Sequence, residues 1–180
     1  MQKKILITNG MARSGKDTFA KYLNYLIPTY KYSSIDRVKE IARYCGWDGS
    51  KEERDRKFLS DLKVLTTKYS DMSFRDIAKQ VDWFRNVDDH YKIMIIDIRE
   101  PEEIDRAKHE FGAKTVLIEN NQVKYIISNI ADAGVFNYKY DYIVPNNGTL
   151  SEFMNVIEKF AKEKLEIEPL PEYARGSVAL

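Results

Sequence analysis

Residues 5–18 read Ile5-Leu6-Ile7-Thr8-Asn9-Gly10-Met11-Ala12-Arg13-Ser14-Gly15-Lys16-Asp17-Thr18, and their reading decides the fold. Ile5 to Thr8 is an apolar run of strand length. Gly10 to Lys16 is spaced G-x4-G-K, and beyond it Phe19, Leu23 and Leu26 recur at helical spacing until Pro28. A strand, a glycine-rich turn and a helix in that order suit a polyphosphate. The glycines let the backbone come close, successive N–H groups point inward, and the helix start adds partial positive charge. Gly10, Arg13, Ser14, Gly15, Lys16, Asp17 and Thr18 are therefore the expected nucleotide contacts, with Lys16 bridging the β- and γ-phosphates. An ordinary glycine turn with a surface lysine would not need the flanking strand and helix.

Asp17 stands where such loops usually carry a Ser or Thr whose hydroxyl binds magnesium, and Thr18 comes one place later. A carboxylate holds magnesium directly or through water, so metal dependence is expected with an altered geometry.

The 180 residues suffice for one domain with a proper core and are too few for two full ones. Lys and Arg total 29 against 28 Asp and Glu, so nothing global calls for a nucleic-acid or membrane partner. The single cysteine, Cys45, excludes an internal disulfide and a cysteine-based metal site. Met1-Gln2-Lys3-Lys4 runs straight into the first strand without a leader or spanning segment, which makes a cytoplasmic location the expectation.

Tyr30 to Ser33 reads as a second strand. Ser34 is placed to cap a helix with Ile35, Val38, Ile41, Ala42 and Cys45 on its apolar face, Cys45 acting as a small core side chain. After the turn Gly46-Trp47-Asp48-Gly49, Ser50 and Glu53 have capping-box spacing before a helix bearing Phe58, Leu59, Leu62 and Leu65, with Arg54, Arg56 and Lys57 on its polar face. Ser73 and Asp76 mark another start, with Phe74, Ile77, Ala78, Val81 and Phe84 facing inward. Three helices are too much chain for a plain crossover, so residues 34–90 are expected to form a helical, substrate-binding insertion over the nucleotide edge of the sheet.

Tyr91 to Asp97 has the continuous apolar character of a central parallel strand. Pro101 opens a helix with Ile104, Ala107 and Phe111 inward and Gly112 past its end, Lys114 to Ile118 is a fourth strand, and Tyr142 to Val144 a fifth. Thr149 and Glu152 box the start of a last long helix whose core face is Phe153, Val156, Ile157 and Phe160. From Pro169 onward the chain has little periodicity and reads as an irregular tail, 169–180, that wraps the body or moves. The expectation is a single α/β domain over 1–168, a three-layer parallel sheet of about five strands with helices on both faces and sites at the strands' carboxyl ends.

That edge collects the loop after the first strand, Asp36 and Arg37 after the second, and Asp97 and Arg99 after the third. Asp97 is placed either to orient magnesium through its water shell or to cap the following helix. The planar fork of Arg99 suits an acceptor phosphate.

Arg13-Ser14-Gly15-Lys16-Asp17-Thr18 resembles the phosphate loop of phage-type deoxynucleoside monophosphate kinases and of animal-type phosphomevalonate kinases, which share the G-K-D variant of the Walker A loop. Asp97-Ile98-Arg99 resembles the D-x-R segment that follows the central strand in the phage-type enzymes, and Arg56-Lys57-Phe58-Leu59-Ser60-Asp61-Leu62 resembles their substrate-binding helix. The matching motifs are scattered over residues 3–165, the loop and D-x-R segments being the specific ones. The resemblance implies a nucleoside monophosphate kinase-like P-loop NTPase fold acting in deoxynucleotide metabolism. ATP would lie in the loop with Mg2+ held by Asp17 and Asp97, and a (deoxy)nucleoside monophosphate acceptor would lie under the insertion. Lys16, Arg13, Asp97 and Arg99 would be catalytic, with Asp36, Arg37, Arg56, Lys57 and Arg99 on the acceptor.

The resemblance also implies a short lid, residues 119–140, and here the sequence departs. Such lids usually carry arginines, whereas this one has only Lys124 and Lys139 as cations. Arg13, Arg56 and Arg99 could supply that charge if they converge. Kinases for phosphomevalonate or dephospho-coenzyme A, and a nucleotide-binding regulator or weak NTPase without an acceptor, fit the same residues. Whether the chain forms a homodimer is left open.

Overall fold

The computed structural model of the protein describes residues 3–122 and 137–175. Aliphatic and aromatic runs form β1 (Lys4–Asn9), β2 (Thr29–Ser33), β3 (Ile93–Asp97), β4 (Lys114–Glu119) and β5 (Tyr142–Pro145), joined in one sheet ordered β2-β3-β1-β4-β5. β1 is parallel to β3 and β4, and β5 is parallel to β4. Parallel neighbours need long crossovers, and helices supply them on both faces of the sheet. The helices are α1 (Lys16–Leu26), α2 (Asp36–Tyr44), α3 (Glu53–Ser70), α4 (Met72–Asn86), α5 (Pro101–Phe111) and α6 (Leu150–Glu163), with a 3-10 turn at Glu172–Ala174. No helix of the described residues is long and apolar enough to cross a membrane.

The chain divides into two compact units, Met1–Lys31 with Asp88–Leu180, and Tyr32–Val87. In the first, Leu6 of β1, Ile93 and Ile95 of β3, Val116 of β4 and Val144 of β5 pack with Phe19, Leu23 and Leu26 of α1 and Phe153, Ile157 and Phe160 of α6. Each such buried side chain contributes about 1.5–3 kcal/mol by leaving water. Edge-to-face contacts of Phe160 with Phe19 and Tyr142 tie α6 to α1 and β5. Pro101 starts α5, and Gly112 ends it in the left-handed conformation. At α6 the hydroxyl of Thr149 accepts from the Glu152 N–H while the Glu152 carboxylate accepts from the Thr149 N–H, a complete capping box. Past α6, the Leu170 N–H donates to Leu26 O and the Arg175 guanidinium lies over the Tyr25 ring, so this part of the tail is fastened to α1. Residues 176–180 lie outside the described residues.

In the second unit Val38, Ala42 and Leu59 form a small core, with Ile35, Trp47, Phe58, Leu62 and Met72 packed on it. Phe74, Ile77, Val81 and Phe84 of α4 are buried as their spacing predicts. Several local expectations give way here. Ser34 does not cap α2: Ile35 holds the N-cap position, and Asp36 instead receives the Ser33 N–H at 2.9 Å. Cys45 is exposed, because α2 ends at Tyr44 and Cys45 only closes its last turn. The Ser50–Glu53 box does not form. Ser50 spends its hydroxyl on the Glu52 N–H two residues on, a local turn that competes with capping, and Glu52 becomes the N-cap. Asp71, left-handed at φ 52°, both ends α3 and starts α4, so Ser73 falls inside the helix and is buried. Leu65 lies at the solvent, 65% exposed, outside the apolar stripe.

Candidate functional site

β1 is flanked by β3 and β4, so its carboxyl end opens between theirs, where the strand order changes direction. The exit from β1 is fixed by Asn9, whose side-chain oxygen accepts the Gly10 N–H at 3.0 Å and whose amide donates to Ile98 O at 3.2 Å. Three positive φ values wind the loop that follows: Gly10 at 150°, Arg13 at 66° and Gly15 at 101°. Gly10 is required on a second ground, since a Cβ there would lie 2.5 Å from the carbonyl oxygen of Ile118. The loop closes on itself through the Ser14 N–H to Met11 O, and Gly15 then sits at the N-cap of α1 without any side-chain cap. The first-turn N–H groups of α1 have no intrahelical acceptor and point toward the loop. Ser14 is buried, and among the described residues its hydroxyl has no hydrogen-bond partner. The Lys16 ammonium folds back onto Gly10 O and Met11 O, at 2.5 and 2.9 Å.

Asp97 is the last residue of β3 and pairs in register with Thr8, whose hydroxyl donates to Asp97 Oδ1 at 2.7 Å. Its other oxygen meets Lys31 of β2 at 3.1 Å, and the same ammonium reaches Asp17 Oδ1 at 2.7 Å. One cation thus joins the two carboxylates that the sequence marks for a metal. The hydrogen bond from Lys31 holds the Asp17 carboxyl, which is largely exposed on α1, below the usual carboxylate range. Burial acts to lower Lys31, but Asp97 and Asp17 outweigh it and raise the ammonium above its ordinary value. Carboxylate oxygens and a hydroxyl are the hard donors magnesium prefers, and both acids contact the same cation, so the chemistry of the residues present fits the ion. Among the described residues no group of three or more acidic, histidine or cysteine side chains gathers as a metal cage.

Arg99 lies in the link between β3 and α5, exposed, and its N–H meets the Glu100 carboxylate at 3.4 Å. Arg13 is exposed in the loop, as is the side of α1 bearing Asp17. Thr18 lies in the first turn of α1, and the remaining expected contacts belong to the second unit. There Asp36 pairs with Lys39 at 3.3 Å, Arg37 with Glu40 at 2.5 Å and Lys57 with Asp61 at 2.6 Å, while Arg56 is exposed on α3. A cavity of about 240 Å³ in this unit is lined by Arg37, Arg75 and Lys79 beside Asp76, Ile41, Ser70 and Met72. Of the lid segment, Lys124 lies outside the described residues, and Lys139 is exposed.

Sequence reasoning missed Lys31, Asn146, Arg75 and Lys79. Asn146 follows β5, donates from its side chain to Ser14 O at 2.8 Å and from its backbone to Glu119 O at 2.7 Å, and so ties the end of the sheet to the loop. Arg75 and Lys79 are one helical turn apart on α4, a spacing that could have flagged them; nothing local flags Lys31 or Asn146.

A parallel sheet ordered β2-β3-β1-β4-β5 with helices on both faces and a G-x4-G-K loop between its central strand and first helix defines a three-layer α/β fold with a phosphate-loop-type turn. Solved structures share it along nearly their whole length. The chain is similar to TT1252 from Thermus thermophilus, with TM-score 0.53, 14% identity, and 92% of this chain and 99% of that one covered. It is similar to dephospho-CoA kinase from Campylobacter jejuni, with TM-score 0.51, 18% identity, and coverage of 89% and 97%. It is also similar to a sugar kinase from Janibacter sp. HTCC2649, with TM-score 0.50, 10% identity, and coverage of 93% and 96%. At these identities the likeness is one of fold. No protein-family model matches the chain, and no curated protein matches it in sequence.

Proposed function

We propose that the protein transfers the γ-phosphoryl group of ATP to a small phosphorylated acceptor, a (deoxy)nucleoside monophosphate, with Mg2+ as cofactor. The observation that carries this reading is the loop itself: a wound backbone, an uncapped helix start, a buried Ser14 hydroxyl without a partner, and Lys16 resting on two carbonyls. A phosphate oxygen is a better acceptor for an ammonium than a carbonyl is, so nucleotide binding draws Lys16 from Gly10 and Met11 onto the β- and γ-phosphates.

No side-chain nucleophile is needed, because an acceptor phosphate is already an anion at neutral pH. The chain has to align two phosphates, screen their repulsion and exclude water. Lys16 and the loop N–H groups hold the donor, and Arg13 and Arg99 supply positive charge for the oxygens of the transferring group. Thr8 keeps Asp97 in one orientation. Asp17 and Asp97 would hold the magnesium, directly or through water, and the ion would supply neutralisation of the nucleotide's phosphate charge. On this reading Asp36, Arg37, Arg56 and Lys57 would bind the acceptor, and the Arg37–Arg75–Lys79 cavity has the charge an anionic substrate calls for.

Two observations favour other acceptors or none. The similarity to a dephospho-CoA kinase supports an acceptor such as dephospho-coenzyme A, with phosphomevalonate a further option from the G-K-D loop. The absence of arginine from residues 119–140 supports a nucleotide-binding regulator or weak NTPase. Incubation with Mg-ATP and a panel of monophosphates, dephospho-coenzyme A and phosphomevalonate decides among them. ADP should form only with an acceptor, together with the phosphorylated product. ADP formed equally without any acceptor would replace transfer by hydrolysis, and tight ATP binding with no ADP would leave a regulator.

A further inference from the structure

Lys31 is distant in sequence from both carboxylates it touches, and on the reading of the loop as a nucleotide site these are the two acids that would hold the metal. Its ammonium lies 2.7 Å from Asp17 Oδ1 and 3.1 Å from Asp97 Oδ2. Asp17 belongs to the first turn of α1 and Asp97 to the end of β3, and Thr8 fixes the remaining Asp97 oxygen at 2.7 Å. Two carboxylates directed at one point repel unless a cation stands between them, and Lys31 is that cation. A magnesium ion held by these two acids would need the same oxygens that the ammonium now engages, so the two cations compete for them.

The formal charges of Asp17, Asp97, Lys16 and Lys31 cancel, so a free divalent ion meets no net attraction at this pair. A nucleotide changes the balance by bringing several negative charges of its own, to which Lys31, 36% exposed at its side chain, is free to turn. We propose that Lys31 is a resident cation that keeps free divalent metal off Asp17 and Asp97, so that the metal enters the site only as its nucleotide complex. Lys31 is therefore a positioning residue: it holds the two acids at their separation before the metal arrives and yields them when it does.

The test uses the full chain without nucleotide and Mn2+ as the probe, with free Mn2+ followed by its electron paramagnetic resonance signal. The wild type should bind Mn2+ weakly. Lys31→Met, which keeps the aliphatic stem and removes the charge, should bind at least about tenfold tighter. Adding Asp17→Asn to Lys31→Met should abolish the gain. Lys31→Gln, neutral but still a hydrogen-bond donor, should behave as Lys31→Met does, and it decides the matter should the methionine variant fail to fold by circular dichroism. Neutral variants that bind free Mn2+ no better than wild type, or a gain that survives Asp17→Asn, would overturn the proposal. Because the titration involves neither nucleotide nor turnover, its outcome is separate from the acceptor panel. A chain that transfers no phosphoryl group can still gain Mn2+ on losing Lys31, and one that transfers well can still fail to.

Discussion

Alanine at Gly10 should cost the protein about 2–5 kcal/mol of folding stability. The added Cβ would stand 2.5 Å from Ile118 O and 2.6 Å from Ser14 Oγ. The serine can rotate away, but the Ile118 carbonyl belongs to β4, whose pairing with β1 on one side and β5 on the other leaves it little room. Relief then has to come from the exit of β1, an overpacking of the kind that costs about 1–3 kcal/mol. The φ of 150° adds about 1–2 kcal/mol for any residue with a side chain. Gly112 is the control. It too has positive φ, at 59°, yet nothing lies within 4 Å of its would-be Cβ, so Gly112→Ala should show the conformational part alone, about 1 kcal/mol. Urea unfolding followed by far-ultraviolet circular dichroism, extrapolated to water for wild type and both variants, gives the difference. If the two substitutions cost the same within about 0.5 kcal/mol, the close approach of the loop to β4 is not what makes glycine necessary at position 10.

Lys16→Ala should lower phosphoryl transfer by about 100-fold or more while leaving the unfolding midpoint nearly unchanged, since the ammonium rests on loop carbonyls and not in the core; initial rates at saturating ATP check it. Arg99→Ala should weaken the acceptor by about 1.5–3 kcal/mol and ATP much less, read from separate titrations; a collapse of ATP affinity instead would move Arg99 to the donor side. Asn146→Ala should cost about 0.5–1.5 kcal/mol by orphaning Ser14 O, and it should also weaken ATP binding, measured by calorimetry. For Asp141, partial burial favours the neutral acid, but the N–H and hydroxyl of Thr115 at 2.8 Å and the Lys108 ammonium at 3.2 Å prevail and lower its pKa below the ordinary 3.8. A lowered acid stabilises the fold above the unfolded-state value and loses that contribution as pH falls through the folded one. Asp141→Asn should therefore destabilise by about 1–2 kcal/mol at neutral pH, and the gap to wild type should close in acid below 3.8; a gap independent of pH would mean the charge is not what Thr115 and Lys108 recognise.

What could be read ahead of the structure was whatever depends on neighbours in sequence. Pro101 and Gly112 bound α5, and Thr149 with Glu152 starts α6, because each signal is completed within a few residues and nothing else competes for those groups. Ser50 carries an equally good box on paper, yet its hydroxyl finds a nearer donor in Glu52 and the helix begins later. Ser73 fails for a related reason: the sharp corner at Asp71 decides where α4 starts, and no residue at position 73 can override it. The strands were legible from apolar runs, and Asp97 from its place at the end of one. Lys31 and Asn146 were not, since each is defined by a partner the spacing does not name; the Asn146 amide reaches Ser14 across 132 positions. A lysine in an edge strand and an asparagine in a turn are ordinary until the sheet order places them beside the loop.

The sheet order also governs when the loop can take its shape. β1 is synthesised first, but the strands that flank it, β3 and β4, come after Tyr32–Val87, and the Thr8–Asp97 contact spans 89 positions. Bringing the ends of so long a flexible segment together costs about 4 kcal/mol in chain entropy, and β1 meanwhile presents the apolar Ile5-Leu6-Ile7 with two open edges. A nascent chain therefore carries an apolar strand exposed for as long as residues 10–92 take to appear. The intervening helices shorten that vulnerable interval in effect: with a core of their own in Val38, Ala42 and Leu59, their early collapse turns most of the loop into a compact body and lowers the entropy still to be lost when β3 arrives. Slow translation or a destabilised helical unit should accordingly show first as insoluble protein, before any defect in the glycine-rich loop of correctly folded molecules.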